Sequence, residues 1–174
     1  SRKETRTNAS YSMRYVGIYG GNYGRDTENF NKGIHEMTCK LYTDGGARGN
    51  PGPAAIGVVI TNEKGEKTFE LSSYLGNATN NQAEYAGIIE GLKAAQNRNI
   101  KKITCFMDSE LVIKQLKGQY KVKNPELKNL WKEAATLASK FEQIEFIHIP
   151  REKNADADLL VNQALDKRMF SKKD

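Results

Sequence analysis

Three strand-like segments follow one another between residues 39 and 75 with only turn chemistry between them. Cys39 to Thr43 (CKLYT) has the character of a short strand that ends at Asp44. The glycine-rich turn GGARGNPGP follows, and Ala54 to Thr61 is then almost wholly apolar. Asn62 to Gly65 carries turn residues, and Phe69, Leu71, Ser73 and Leu75 alternate with polar positions. Parallel neighbours need a crossover of a dozen or more residues, and none fits here. These strands therefore suit an antiparallel meander.

The pattern changes after residue 78. Thr79-x-x-Gln82 fits a capping box, and Ile88, Leu92 and Ala95 give the following helix its apolar stripe. Ile103 to Met107 is a fourth strand, and Asp108-Ser109 opens a helix that ends near Gly118. Asn124-Pro125 is an N-cap followed by Pro at the first helical position. Leu127, Leu130, Trp131, Ala134, Leu137, Ala138 and Phe141 then mark an amphipathic helix. Ile144 to Ile149 is a fifth strand, and Asn154 caps a last helix bearing Ala157, Val161, Ala164 and Leu165. The order βββαβααβα predicts an α/β fold: a five-stranded mixed sheet with helices on both faces.

At 174 residues the chain suits one domain with a short appendage. Residues 1–36, polar with a Tyr11, Tyr15, Tyr19, Tyr23 spacing broken by glycines, are expected to be a flexible extension. Residues 37–170 form the domain, and 171–174 are a basic tail. No apolar run reaches the roughly 18 residues of a membrane span, so no membrane partner is expected. Cys39 and Cys105 are too few for a disulfide scaffold and suit a reducing, cytoplasmic setting. A net charge of +6 permits a polyanionic partner.

Four carboxylates occupy conspicuous places. Asp44 precedes a glycine turn, where an Asx role is the ordinary explanation. Asp108 ends a strand before a helix, a natural N-cap position. Glu84 lies four residues before Ile88 and eight before Leu92, which puts it on the apolar stripe. Complementing the helix dipole would explain its turn but not its face. Asp158 shares a face with Val161, Asn162 and Leu165, with Asp156 competing in the same turn. Such residues converge naturally at one end of a sheet of this kind. Clustered carboxylates repel, so each has a raised pKa unless cations bind. Oxygen-only ligation selects Mg²⁺ or Mn²⁺ over zinc. There is no GxxxxGK[ST] loop, no GxSxG and no Cys/His metal spacing to compete with this reading.

Together these residues resemble type 1 ribonuclease H, over Cys39 to about Lys167. YTDGGARGNPGPA is similar to the family's first-strand motif, with Asp44 its metal-binding aspartate. TNNQAEYAGIIEGL resembles the glutamate motif (Glu84), and MDSELVIKQL the segment with the third carboxylate, Asp108. REKNADADLLVNQALD resembles the C-terminal motif, whose aspartate is Asp158 rather than Asp156. The resemblance implies hydrolysis of the RNA strand of an RNA/DNA hybrid with two Mg²⁺ ions, or Mn²⁺, leaving 5′-phosphate and 3′-hydroxyl ends. It implies catalytic and metal-binding roles for Asp44, Glu84, Asp108 and Asp158. It also implies substrate contacts for Asn50, Asn80 and Asn81, and a DNA-phosphate pocket involving Thr79 and Asn124. Capping explains Thr79 and Asn124 equally well, and the two roles can coexist. A monomer is the family expectation.

Two features depart from many members. Gly118 to Asn124 (GQYKVKN) is a short link in place of a basic protrusion, leaving Lys114, Lys117, Lys121, Lys123 and Lys128 as alternative cations. Pro150-Arg151-Glu152-Lys153 stands where a Gly/His loop is expected, so Arg151 is a candidate for part of that loop's task. The compact form resembles the archaeal-like branch of the family. Two other readings remain: a catalytically silent nucleic-acid-binding module of the same fold, and another nuclease of the superfamily acting on double-stranded RNA or DNA.

Overall fold

The computed structural model describes residues 38–171. The segment 1–36, the domain start at residue 37 and residues 172–174 of the tail lie outside the described residues. The strands are β1 (Thr38–Ala47), β2 (Gly52–Thr61), β3 (Lys67–Ala78), β4 (Lys102–Met107) and β5 (Gln143–His148). The helices are α1 (Asn80–Asn97), α2 (Glu110–Leu116), α3 (Pro125–Ala138) and α4 (Ala155–Ser171), the last preceded by a 3₁₀ turn at Arg151–Asn154.

The sheet order is β3-β2-β1-β4-β5. β1, β2 and β3 pair antiparallel, while β1–β4 and β4–β5 pair parallel. The mixed sheet expected from the element order is thus present, with β1 at its centre. Local chemistry sets the boundaries. Thr79 Oγ1 accepts from Gln82 N (3.2 Å) while Gln82 Oε1 accepts from Thr79 N (2.9 Å), closing the predicted capping box on α1. Asn124 Oδ1 accepts from Glu126 N and Leu127 N at the start of α3. Gly118, at φ +74°, takes the left-handed conformation that ends α2.

Leu41, Ile88, Leu92, Ile103, Met107, Val112 and Leu137 share the larger core between α1–α3 and one sheet face. Ala55, Val161, Ala164 and Leu165 form a smaller one beneath α4. Helices therefore cover both faces, as the sequence predicts.

The structure corrects three local readings. First, β1 does not stop at Asp44: Gly45, Gly46 and Ala47 continue the ladder opposite Ile56, Ala55 and Ala54. Glycine weakens a strand, which disguises the extension in sequence. It is required here because a Cβ on Gly45 would collide with the Ala83 carbonyl of α1. Second, Asp108 is not the cap of α2; Ser109 is, accepting from Val112 N. Third, Asn154 does not cap α4 with its side chain. Its amide nitrogen instead donates to the Thr43 carbonyl, 2.9 Å away.

Candidate active site

The β1–β4 ladder ends at Tyr42 opposite Phe106. Two residues further on stand Asp44, still in β1, and Asp108, the first residue past β4, at the same end of the sheet. Glu84 arrives from the first turns of α1, held by the capping box and by the backbone approach at Gly45. One carboxylate oxygen from each of Asp44, Glu84 and Asp108 lies within 4.8 Å of the others. The three elements thus converge three acids that are distant in sequence.

The electrostatics are those of an anionic cluster partly withdrawn from water. Asp44 is buried, and burial, then the charges of Asp108 and Asp158, push its carboxyl up to about 7. Its hydrogen bond with Glu84 works in the opposite direction. Burial, followed by the charges of Asp44 and Asp108, holds the Glu84 carboxyl well above the usual range. Glu84 Oε2 is buried without a hydrogen-bond partner, and Asp44 Oδ1 accepts from Gly45 N (3.0 Å). An orphaned buried carboxylate oxygen beside two further carboxylates is unfavourable unless a cation neutralises it. The donor set is all oxygen, which fits a hard divalent ion.

Asp158 stands outside the tight trio, yet near enough to Asp44 to raise its carboxyl. On one side Arg151 reaches its Oδ1 at 3.5 Å, and on the other Asn162 Nδ2 reaches its Oδ2 at 3.4 Å. Asp156 points elsewhere, pairing with Lys67 at 3.4 Å. Asp158 is thus the one of the two that acts on Asp44, while Asp156 is turned to Lys67.

Of the predicted substrate residues, Asn50 and Asn80 lie together. Asn50 Oδ1 accepts from Asn80 N (3.1 Å), and Asn80 Oδ1 accepts from Ala47 N (2.9 Å). Both residues are exposed. Asn81 is half-buried beside them. Asn124 is joined to this end through Gln82 Nε2, which donates to Glu126 Oε2 at 2.8 Å. Thr79 and Asn124 both spend their side-chain oxygens on caps. Lys114 pairs with Glu110 (2.7 Å) and sits over the Tyr120 ring, while Lys117, Lys121, Lys123 and Lys128 are exposed.

A family model described as "Reverse transcriptase-like" matches residues 42–164. LC11-RNase H1, isolated from compost by a metagenomic approach, has a solved structure in complex with an RNA/DNA hybrid. It is 49% identical to this chain, covering 75% of it and 99% of its own length, with a TM-score of 0.72. The chain belongs to the ribonuclease H family. A second ribonuclease H, RNase H1 of the halophilic archaeon Halobacterium salinarum, is 41% identical over 75% of this chain and 98% of its own, with a TM-score of 0.73. The "Bifunctional protein Rv2228c" of Mycobacterium tuberculosis is 43% identical over 131 residues, 75% of this chain. That match spans only 36% of the mycobacterial protein, about a third of its length.

Within this ribonuclease H fold, two residues that position the site escape a reading of the sequence. Gly45 looks like part of a loop, although the pattern Asp-Gly-Gly after a strand hints at close backbone approach. Gln115 gives no sequence signal: it accepts from the buried Tyr85 hydroxyl (2.6 Å), and its carbonyl accepts from the Trp131 indole (3.1 Å). That junction ties α1, α2 and α3 together behind the carboxylates.

Proposed function

We propose that the chain is an endonuclease that hydrolyses the RNA strand of RNA/DNA hybrids, leaving 5′-phosphate and 3′-hydroxyl ends. In this reading Asp44, Glu84, Asp108 and Asp158 hold two divalent ions, Mg²⁺ with Mn²⁺ as an alternative. The observation that carries it is the convergence of Asp44, Glu84 and Asp108 within 4.8 Å, with Glu84 Oε2 buried and unpartnered. A module that only bound phosphates would be weakened by such a cluster, which disfavours the silent reading.

The bound ions would supply Lewis acidity and a water nucleophile at neutral pH. The chain's residues do the rest. Asp44 on β1 and Asp108, just past the end of β4, present oxygens toward a common point. By the family resemblance Glu84 also accepts from a 2′-hydroxyl, the group that separates RNA from DNA. Asn50, Asn80 and Asn81 line the approach and suit base or sugar contacts in the minor groove. Thr79 and Asn124 supply hydroxyl and amide groups for a DNA phosphate while still capping their helices. Arg151, exposed and 3.5 Å from Asp158, can follow the leaving strand in place of a Gly/His loop.

Removing the four carboxylates leaves 17 acids against 27 bases, so the rest of the chain is strongly cationic around an anionic site. That distribution suits a nucleic-acid backbone. Among the described residues no helix is long and apolar enough to cross a membrane. The free thiols of Cys39 and Cys105 support a cytoplasmic setting, and a monomer follows the family expectation.

The deciding experiment incubates labelled RNA/DNA hybrid, double-stranded RNA and double-stranded DNA with the protein in Mg²⁺, Mn²⁺ or EDTA, alongside Asp108→Asn. Cleavage confined to the RNA of the hybrid, and abolished by EDTA and by the substitution, is expected. Hybrid cleavage that survives either treatment would refute the metal account, and no cleavage with any metal would favour the silent module.

A further inference from the structure

The Asn154 side chain is 1% exposed, and it forms a bond that nothing in its local sequence requires. Its Nδ2 donates to the carbonyl of Thr43, 111 positions away and immediately before Asp44. That carbonyl lies one residue beyond the last β1–β4 pair, Tyr42 with Phe106. A buried carbonyl past the end of a ladder needs another donor, and the Asn154 amide provides it.

Asn154 is also the last residue of the 3₁₀ turn that carries Arg151, and α4, which carries Asp158, starts at the next residue. A single hydrogen bond therefore links the backbone under one site carboxylate to the base of the helix bearing another. The arrangement is not the cheapest way to fill this space. Asn154 Oδ1 is buried without a partner, beside a cavity of about 290 Å³ that Tyr42 and Thr61 also line. An unsatisfied buried oxygen is unfavourable, and an apolar residue would avoid that cost. What an apolar residue could not do is hold Thr43.

We propose that Asn154 is a positioning residue that fixes the separation of Asp44 and Asp158, and through it the affinity of the site for its divalent ions. Partners that orient ligating groups from behind are typically worth about ten- to a hundredfold in metal affinity or activity. The proposal rests on the reading of these carboxylates as a metal site.

The test compares the full chain with Asn154→Ala and Asn154→Asp. The second keeps the shape while exchanging the donor for a carboxylate that faces the Thr43 carbonyl. Isothermal calorimetry with Mn²⁺ and no substrate should show affinity about tenfold or more weaker in both variants. In hybrid cleavage kcat at fixed Mg²⁺ should fall, recovering as Mg²⁺ is raised, while KM for the hybrid stays near that of the parent chain. A purely structural role would lower the melting temperature and leave the metal affinity and kcat of the folded fraction unchanged, and that result would overturn the proposal. Should neither variant fold, the parent chain still decides the matter. Its Asn154 side-chain amide, followed by ¹⁵N NMR, should shift in step with Mg²⁺ binding, and an amide indifferent to Mg²⁺ would overturn the clamp. A parent chain that binds no Mn²⁺ or Mg²⁺ would overturn the metal-site reading itself; binding that is equal in parent and variants would overturn the clamp alone.

Discussion

The backbone N–H of Asn80 donates to the side-chain oxygen of Asn50 across 3.1 Å, so the first residue of α1 is stapled to the turn between β1 and β2. Asn80 Oδ1 returns the tie to Ala47 N. Each side chain thus uses its oxygen for structure, leaving the amide nitrogen as the group that can address a ligand. Asn80→Asp separates the two functions, because it keeps the oxygen and removes the donor. KM for RNA/DNA hybrid should rise about tenfold, the scale of one lost donor with some added repulsion. Thermal stability should stay within about 0.5 kcal/mol of the parent. An unchanged KM would confine Asn80 to its structural tie.

Asp44 supplies a pH prediction. In the folded, metal-free chain its carboxyl is raised from 3.8 to about 7, chiefly by burial. Between those values the folded state keeps a proton that the unfolded chain has released. Stability of the metal-free protein should therefore fall as pH rises through that window. Glu84, raised for the same reason, acts in the same direction. Mg²⁺ needs the deprotonated site, so saturating Mg²⁺ should raise the melting temperature more at pH 8 than at pH 5. Each kcal/mol moves the midpoint of a domain this size by roughly 2–4 °C, which scanning calorimetry resolves. A metal-free midpoint that climbs from pH 5 to 8 would contradict the assignment.

Asp108 and Ser109 are adjacent and divide two tasks. Ser109→Ala removes the α2 cap and should cost about 0.5–1 kcal/mol in denaturant unfolding with cleavage largely retained. Asp108→Asn should leave stability equal or higher, by relieving repulsion with Asp44 and Glu84, and lower kcat roughly a thousandfold. The opposite pattern would exchange their roles.

Arg151 is exposed, with Asp158 as its ionic contact in the site. An exposed pair of this kind contributes little to folding. Arg151→Ala should thus leave the melting temperature unchanged and slow multiple-turnover cleavage by about three- to tenfold, with a smaller effect in a single turnover. Equal turnover would remove it from the mechanism.

The legibility of this fold in its sequence divides by the range of the interaction. The meander is legible because no helix fits between residues 39 and 75, and the α1 cap is legible because Thr79 and Gln82 are three apart. Glu84 stands out because helical periodicity alone places it on the stripe of Ile88 and Leu92, both fully buried. Asp108 against Ser109 is harder, since both are good caps at neighbouring positions. The extension of β1 through Gly45 to Ala47 and the bond from Asn154 to Thr43 depend on segments tens of residues away. At such sites local propensity points toward a turn or a cap, and tertiary contact decides otherwise.

Gly45 and Gly57 meet opposite helices through bare backbone: a side chain on the first would strike the Ala83 carbonyl of α1, and on the second the Ala157 carbonyl of α4. The helices bearing Glu84 and Asp158 are therefore seated chiefly by peptide against peptide, with the Leu160 Cβ beside the second contact. The depth of each helix is fixed by covalent dimensions, much as a gauge block sets a gap. Substitutions that swell or shrink the surrounding apolar clusters can drain stability, yet they have little leverage on the spacing of the acids. Sequence drift can thus be extensive in the core of such a protein before its chemistry is disturbed.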